Sequence, residues 1–171
     1  MIIAISGLTG SGKNTLGELL AKELGYKLIC PTFKDLAKKE GITLMEFQEK
    51  AENDPDIDKK FDALLKEQAK ENCVVTTWLG PWIVDADLKI KVSAPAETRA
   101  ERIANRDSMI FEDALKHVRD RDEGNRNRYK KLYGIDIYSE DVFDAVLDSG
   151  KNSPEQLLKM TLEIIKKKGG L

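Results

Sequence analysis

Gly7-Leu8-Thr9-Gly10-Ser11-Gly12-Lys13-Asn14-Thr15 is the stretch on which the reading of this chain turns. Before it, residues 1–6 form an apolar run of strand length. After it, Leu16, Leu19, Leu20, Ala21 and Leu24 recur at helical spacing as far as Gly25, so the turn joins a strand to a helix. Glycines let the backbone curl until successive N–H groups face one centre. The helix start adds partial positive charge, and Lys13 can reach the terminal phosphates of a polyphosphate. A plain flexible turn accounts for the glycines but not for a lysine directly after the last of them.

Outward from this phosphate-binding loop, residues 26–29 read as a second strand. Residues 33–70 are rich in Lys, Glu, Leu and Ala, and Gly41 and the Asn53-Asp54-Pro55 cluster cut them into three helices. Residues 73–77 are apolar or β-branched at nearly every position, as in a strand covered on both faces. A strand at 88–92, a helix at 96–105 after Pro95 and a long polar helix at 111–132, with a break expected near Gly124, come next. A last strand is expected at 145–147. Ser153-Pro154-Glu155 then opens a terminal helix that ends in Lys166, Lys167 and Lys168. Strands separated by helices require crossover connections, hence a parallel sheet with helices on both faces. The fold expected is α/β, a P-loop NTPase three-layer fold on a parallel five-stranded sheet.

A length of 171 residues suits one domain, and 41% apolar residues suffice for its core. With 28 basic and 30 acidic residues the net charge is -2, so a general affinity for nucleic acid or for an anionic membrane is not expected. The longest uncharged run in the middle of the chain, residues 72–84, is shorter than the ~20 residues a bilayer requires. The amino terminus has neither a basic start nor a long apolar segment, so export is not expected and a cytoplasmic location is. Cys30 and Cys73 form no C-x-x-C pair and read as reduced thiols.

Ser or Thr usually follows the P-loop lysine and holds magnesium. Here that position is Asn14, and Thr15, one residue later, is the expected metal residue. Residues 74–77 end in threonine rather than in a metal-binding acid. Asp85 and Asp87 precede the next strand and belong to the opposite sheet edge, where a loop role is expected. All seven arginines lie between 99 and 128, while every other basic residue is lysine. Guanidinium matches phosphate oxygens two at a time, so this zone reads as an arginine lid over a polyphosphate. Helical spacing pairs Arg121 with Arg128 and Arg119 with Arg126. Arg99, Arg102 and Arg106 are assigned to packing and hinge contacts. The alternative is a solvated helix laced with ion pairs through Asp120, Asp122 and Glu123. His117 is expected on an exposed helix face. Trp78 and Trp82 flank a Gly80-Pro81 turn just after the central strand, where they either stack on a base or pack beneath the insertion helices.

These residues resemble the archaeal type of cytidylate kinase along nearly the entire chain. Besides the P-loop, the likeness rests on Ala86-Asp87-Leu88-Lys89-Ile90, on Ala94-Pro95 with Arg99-Ala100-Glu101-Arg102-Ile103-Ala104, on Arg128-Tyr129-Lys130 with Tyr133-Gly134-Ile135-Asp136, and on Ser153-Pro154-Glu155. The resemblance implies transfer of the terminal phosphoryl of ATP to CMP or dCMP with Mg²⁺, by a monomer or homodimer. It implies a core from residues 1–30, 72–98 and 133–171, a helical monophosphate-binding insertion over 31–71 and a lid region over 99–132. Lys13, Arg121 and Arg128 would then act on the transferring phosphoryl. Residues 7–15 and the backbone near Lys151 would hold ATP, and Lys34, Asp62, Trp78 and Trp82 would meet the acceptor. The acceptor side departs from the family pattern. Where an acid-Gly-Arg triplet is usual after the third strand, this chain has Thr76-Thr77-Trp78. Lys34 stands where an arginine commonly meets the acceptor phosphate, and Ala63 and Leu64 occupy arginine positions. The departures leave open a small-molecule kinase with another acceptor, or an ATP-dependent regulatory protein.

Overall fold

The structure is a computed structural model that describes residues 1–170, except for the side chains of Lys34, Asp35 and Glu52. Five parallel strands run in the order β2-β3-β1-β4-β5: β1 (Ile2–Ser6), β2 (Lys27–Ile29), β3 (Cys73–Thr76), β4 (Leu88–Ser93) and β5 (Ala145–Asp148). Helix α1 (Lys13–Leu24) carries the chain from β1 across to β2. Helices α2 (Phe33–Glu40), α3 (Leu44–Asn53) and α4 (Pro55–Gln68) lie between β2 and β3, and a single turn, α5 (Gly80–Ile83), follows β3. An antiparallel pair, α6 (Ala96–Asp107) and α7 (Phe111–Tyr133), separates β4 from β5, and α8 (Pro154–Lys167) ends the fold.

The pairings Ile2 with Cys73 and Ile3 with Leu88 set the register of the central strands. Alternate residues then feed opposite layers. Ile3, Ile5, Val74, Ile90 and Val92 meet Leu16 and Leu20 of α1 and Leu157 and Ile165 of α8. Cys73 and Val75 face the other way, onto Leu65 of α4, Ala69 just past its end, and Val84. A fully buried side chain of this kind contributes about 1.5–3 kcal/mol, and the sheet centre is the main source of stability. The α6–α7 pair closes over its own small core of Ala100, Ile103, Ala114 and Val118.

Helix boundaries follow local chemistry. Asp54 caps the end of α3 and, as the residue before α4, accepts from the Asp56 amide, with Pro55 in the first turn. Ser153 and Gln156 form a reciprocal capping box on α8. Two expectations change. Helix α7 runs without a break through Gly124, because its buried face, with Asp122, Asn125, Arg128 and Tyr129, outweighs the roughly 1 kcal/mol that an interior glycine costs. The Gly80-Pro81 segment is helical rather than a simple turn, since Pro81 is tolerated in a first turn.

Because β1 is central and its neighbours connect in opposite directions, the crevice at the strand C-termini opens at the P-loop. No helix among the described residues is long and apolar enough to cross a membrane.

Candidate active site

Gly10 and Gly12 adopt φ of +75° and +91°, a region that side chains disfavour. A Cβ on Gly10 would also sit 2.8 Å from the Arg99 carbonyl oxygen. The outer side of the loop is held by side chains from later in the chain. Arg99 donates to Thr9 O at 2.9 Å, Arg102 donates to Gly10 O and Ser11 O at 3.2 and 3.3 Å, and Ser149 donates to Ser11 O at 2.7 Å. In a trans peptide the N–H points opposite to the C=O, so engaging these carbonyls outside turns the Gly10 and Gly12 amides inward.

Arg99 also forms a buried ion pair with Asp122 of α7 at 2.6 Å, and Asp122 accepts from the Thr9 amide at 3.1 Å. Both sides of Thr9 are therefore fixed by one ion pair joining the P-loop, α6 and α7. Arg99 and Arg102 act on the loop rather than as hinge contacts alone.

A cavity of about 370 Å³ opens beside the loop. Its phosphate end has Thr9, Gly10, Lys13 and Asn14, with Arg106, His117 and Arg121 above them. Burial and the Arg121 guanidinium pull the Lys13 ammonium down to about 8. Lys13 rests over the Trp78 ring, 5.3 Å from its centroid. Arg121 is half-buried, and its Nε makes no hydrogen bond to any described residue. Burial lowers the guanidinium pKa of Arg121 as well. The acid of the lining at this end, Asp107, pairs with Arg106 at 2.6 Å, and with Lys13 and Arg121 beside them the region is a cationic socket. His117, expected on an exposed face, instead lines it, and burial and Arg121 shift its imidazole downward.

The other end of the cavity is walled by α2, α4 and α7. Phe33 packs edge-on against Phe47 and Phe61, with centroids 5.1 and 5.5 Å apart. Arg128 stacks over Phe33 at 4.9 Å and donates to Asn125 and the Tyr129 hydroxyl. Its Nε lies 3.4 Å from Asp58 Oδ2. Asp62, one turn along α4, accepts from the Tyr133 hydroxyl at 2.5 Å. Burial raises both acids, Asp58 to about 6 with help from Asp62 and against Arg128, and Asp62 despite Tyr133.

The structure thus brings Thr9, Gly10, Lys13, Asn14, Asp62, Trp78, Arg121 and Arg128 to one cavity. Arg128 faces the α4 end, while Arg121 and Arg106 are the arginines that act on Lys13. Gly7, Leu8, Ser11, Gly12, Thr15, Trp82 and Lys151, also expected at the site, do not line this cavity. Thr15 is exposed and borders a second hollow of about 200 Å³, shared with Gly12, Arg102, Ser149 and Asn152. Thr15 stands one residue beyond Asn14, and that step turns its side chain to another face of α1. Trp82, on α5, packs edge-to-face on Phe143 at 5.2 Å and beside Leu79, Tyr129 and Ile137. The Lys151 side chain is exposed and pairs with Asp148 at 3.7 Å, though its neighbours Ser149 and Asn152 line the second hollow. The Lys34 side chain lies outside the described residues. Arg119 and Arg126 turn outward to Glu97 and Asp136.

Sequence reasoning missed Asp58, Asn125, Tyr129, Phe33, Phe61 and the Arg99–Asp122 brace. Only the adjacency of Tyr129 to Arg128 gave any signal.

Among the described residues no three His, Cys, Asp or Glu side chains gather as a metal cluster. Neutral oxygens are present instead. Asn14 Oδ1, Thr76 Oγ1 and Thr77 Oγ1 are buried without hydrogen-bond partners among the described residues, and all three residues line the cavity. Hard neutral oxygens beside a phosphate socket fit Mg²⁺, which keeps much of its shell as water and phosphate.

Comparison with known proteins gives the same picture. The chain is 45% identical to the cytidylate kinase of Pyrobaculum islandicum over 170 residues, covering 96% of this chain and 92% of that one. It is 43% identical to the cytidylate kinase of Pyrococcus abyssi over 159 residues, covering 91% and 88%. Among solved structures, the shikimate kinase of Aquifex aeolicus superposes with a TM-score of 0.64 at 23% identity over the whole of both chains, a likeness of fold. The sequence pattern of the cytidylate kinase-like family matches residues 2–151. That match runs from β1 past β5 and takes in both ends of the cavity, so the chain belongs to the cytidylate kinase-like family.

Proposed function

We propose that this protein transfers the γ-phosphoryl group of ATP to CMP or dCMP. The observation that carries the reading is the single cavity in which Lys13 and Arg121 face a compartment walled by Phe33, Phe61 and Tyr129. A cationic socket suits a polyphosphate, and an aromatic compartment beside it suits a planar base. The relatives named cytidylate kinase supply the identity of that base.

The P-loop amides and Lys13 grip the β- and γ-phosphates. Arg121, and Arg106 once it leaves Asp107, meet the charge that spreads over the transferring group. An acceptor phosphate oxygen attacks the γ-phosphorus in line, the bond to the β-phosphate oxygen breaks, and ADP departs as the diphosphate product forms. The protein contributes position and charge rather than a base. Mg²⁺ would neutralise phosphate charge, with Asn14 Oδ1 as its side-chain oxygen in place of Thr15. The second hollow, between Arg102 and the 149–154 loop, would take the adenine. Residues 31–71 serve as the acceptor-binding insertion. Within the lid region 99–132, Arg99, Arg102 and Asp122 stay with the P-loop.

The test is ADP release measured with CMP, dCMP, UMP and AMP as acceptors. Turnover that depends on a cytidine monophosphate is expected. ADP release equal with and without every acceptor would overturn the reading.

A further inference from the structure

The α4 end of the cavity holds a carboxylate that the mechanism above does not use. Asp58 is 3% exposed, lines the cavity, and its Oδ2 accepts no hydrogen bond from any described residue. Leaving a buried carboxylate oxygen without a donor is costly. The Asp58–Arg128 contact offsets that cost only in part: at 3.4 Å, with side chains 4% and 6% exposed, it lacks hydrogen-bond geometry. Arg128 Nε likewise has no hydrogen-bond partner among the described residues. The guanidinium is fixed by Asn125, the Tyr129 hydroxyl and the Phe33 ring, so an acceptor site and a donor site stand side by side with their directions set. Asp62 does not share this condition, since Tyr133 already donates to it.

The geometry points to Asp58 and Arg128 as the pair that reads the edge of the acceptor base. The Asp58 carboxylate would accept from the exocyclic amine of cytosine while Arg128 donates to the adjoining ring nitrogen or carbonyl oxygen. Cytosine offers a donor next to an acceptor, the complement of this pair. Uracil offers the reverse order, which sets a carbonyl oxygen against the carboxylate and a ring N–H against the guanidinium. A site built to bond a polar group rejects the analogue that lacks it, because its own buried groups are then left unpaired. This inference rests on the acceptor reading above and adds which side chains choose the base. It also gives Arg128 a task other than contact with the transferring phosphoryl.

The test is equilibrium binding of CMP, of UMP and of the CMP analogue whose base is pyrimidin-2-one, lacking only the amine, to the wild-type protein and to Asp58→Asn. Wild-type protein should bind CMP roughly a hundredfold more tightly than the analogue, the scale of one buried acceptor left unpaired. In Asp58→Asn that factor should shrink to a few-fold, with CMP losing affinity and UMP holding or gaining. Thermal melting reports whether the variant folds. Should it not fold, Asp58→Glu keeps the charge facing Arg128 but moves the carboxylate by one methylene, and the same loss of discrimination is expected. An unchanged factor in a folded variant would overturn the base-reading role and leave the phosphoryl-transfer reading intact. Wild-type protein that does not distinguish CMP from the analogue, yet phosphorylates CMP, would also overturn it. Wild-type protein that binds no pyrimidine monophosphate would overturn both.

Discussion

Replacing Asp122 with alanine should destabilise the protein by about 3–5 kcal/mol, the cost of stranding a buried guanidinium. The Arg99 and Asp122 side chains are 7% and 3% exposed and 2.6 Å apart. Without the carboxylate, Arg99 keeps only the carbonyls of Ala94 and Thr9, and the Thr9 amide loses its acceptor. In a chain of this size each kcal/mol is worth roughly 2–4 °C, so the melting temperature should fall by about 10 °C. The double variant Arg99→Met/Asp122→Leu replaces the pair with apolar groups and should recover most of that loss. Binding should behave differently. Both variants release the Thr9 amide, so the KM for ATP should rise roughly tenfold in each, the scale of one charge-assisted hydrogen bond. Thermal denaturation and initial rates at varied ATP measure the two effects. An alanine variant that melts within ~2 °C of wild type with an unchanged KM for ATP would refute the claim that this pair braces the loop.

Other outcomes follow from the same geometry. Burial and Arg121 hold free Lys13 near 8, and a bound triphosphate restores its charge. ATP affinity should therefore weaken as pH rises above about 8, approaching tenfold per pH unit, and Lys13→Arg should flatten that dependence in titration calorimetry. The sign for folding is opposite. The unfolded chain binds this proton more tightly, so the Lys13 contribution to stability rises with pH from about 8 towards the ordinary lysine value. Asn14→Ala should raise the Mg²⁺ concentration needed for half-maximal rate roughly tenfold with little change in melting temperature, as read from rates at varied metal. Trp82→Phe should leave the KM values within about twofold, since it changes packing away from the cavity. The remaining Trp78 fluorescence should then respond to ATP as Lys13 leaves the ring.

The P-loop, the order of strands and helices and the parallel sheet were legible because each is written locally, in glycines, caps and apolar period. Resemblance carried the family. What stayed hidden depends on which faces of distant helices meet. Asp58 sits in the run Pro55-Asp56-Ile57-Asp58-Lys59-Lys60, which reads as a solvated helix face, and Asp62, just beyond it, was reached only through the resemblance. Arg128 and Tyr133 of α7 meet the two acids. Asp122 looked like one more acid between arginines, yet it crosses to Thr9, 113 positions away. The misplacement of Thr15 has a simple cause: one residue along a helix turns a side chain by about 100°. Trp82 followed from reading Gly80-Pro81 as a turn, whereas the segment is helical and Trp78 alone of the two lines the cavity. The arginine zone was recognised as a unit, but burial divides it. Arg99 and Arg102 hold the loop, Arg106 and Arg121 look into the phosphate socket, Arg128 meets Asp58, and Arg119 and Arg126 face outward.

The account depends most on two nucleotide sites meeting inside one cavity with Lys13 and Arg121 between them. Calorimetric titration with cytidine and adenosine joined 5′ to 5′ through a pentaphosphate bridge tests that directly. The account predicts one molecule bound per chain, at least roughly tenfold more tightly than ATP alone, with the gain lost in Arg121→Ala. Binding no tighter than ATP, or a gain untouched by that substitution, would contradict it.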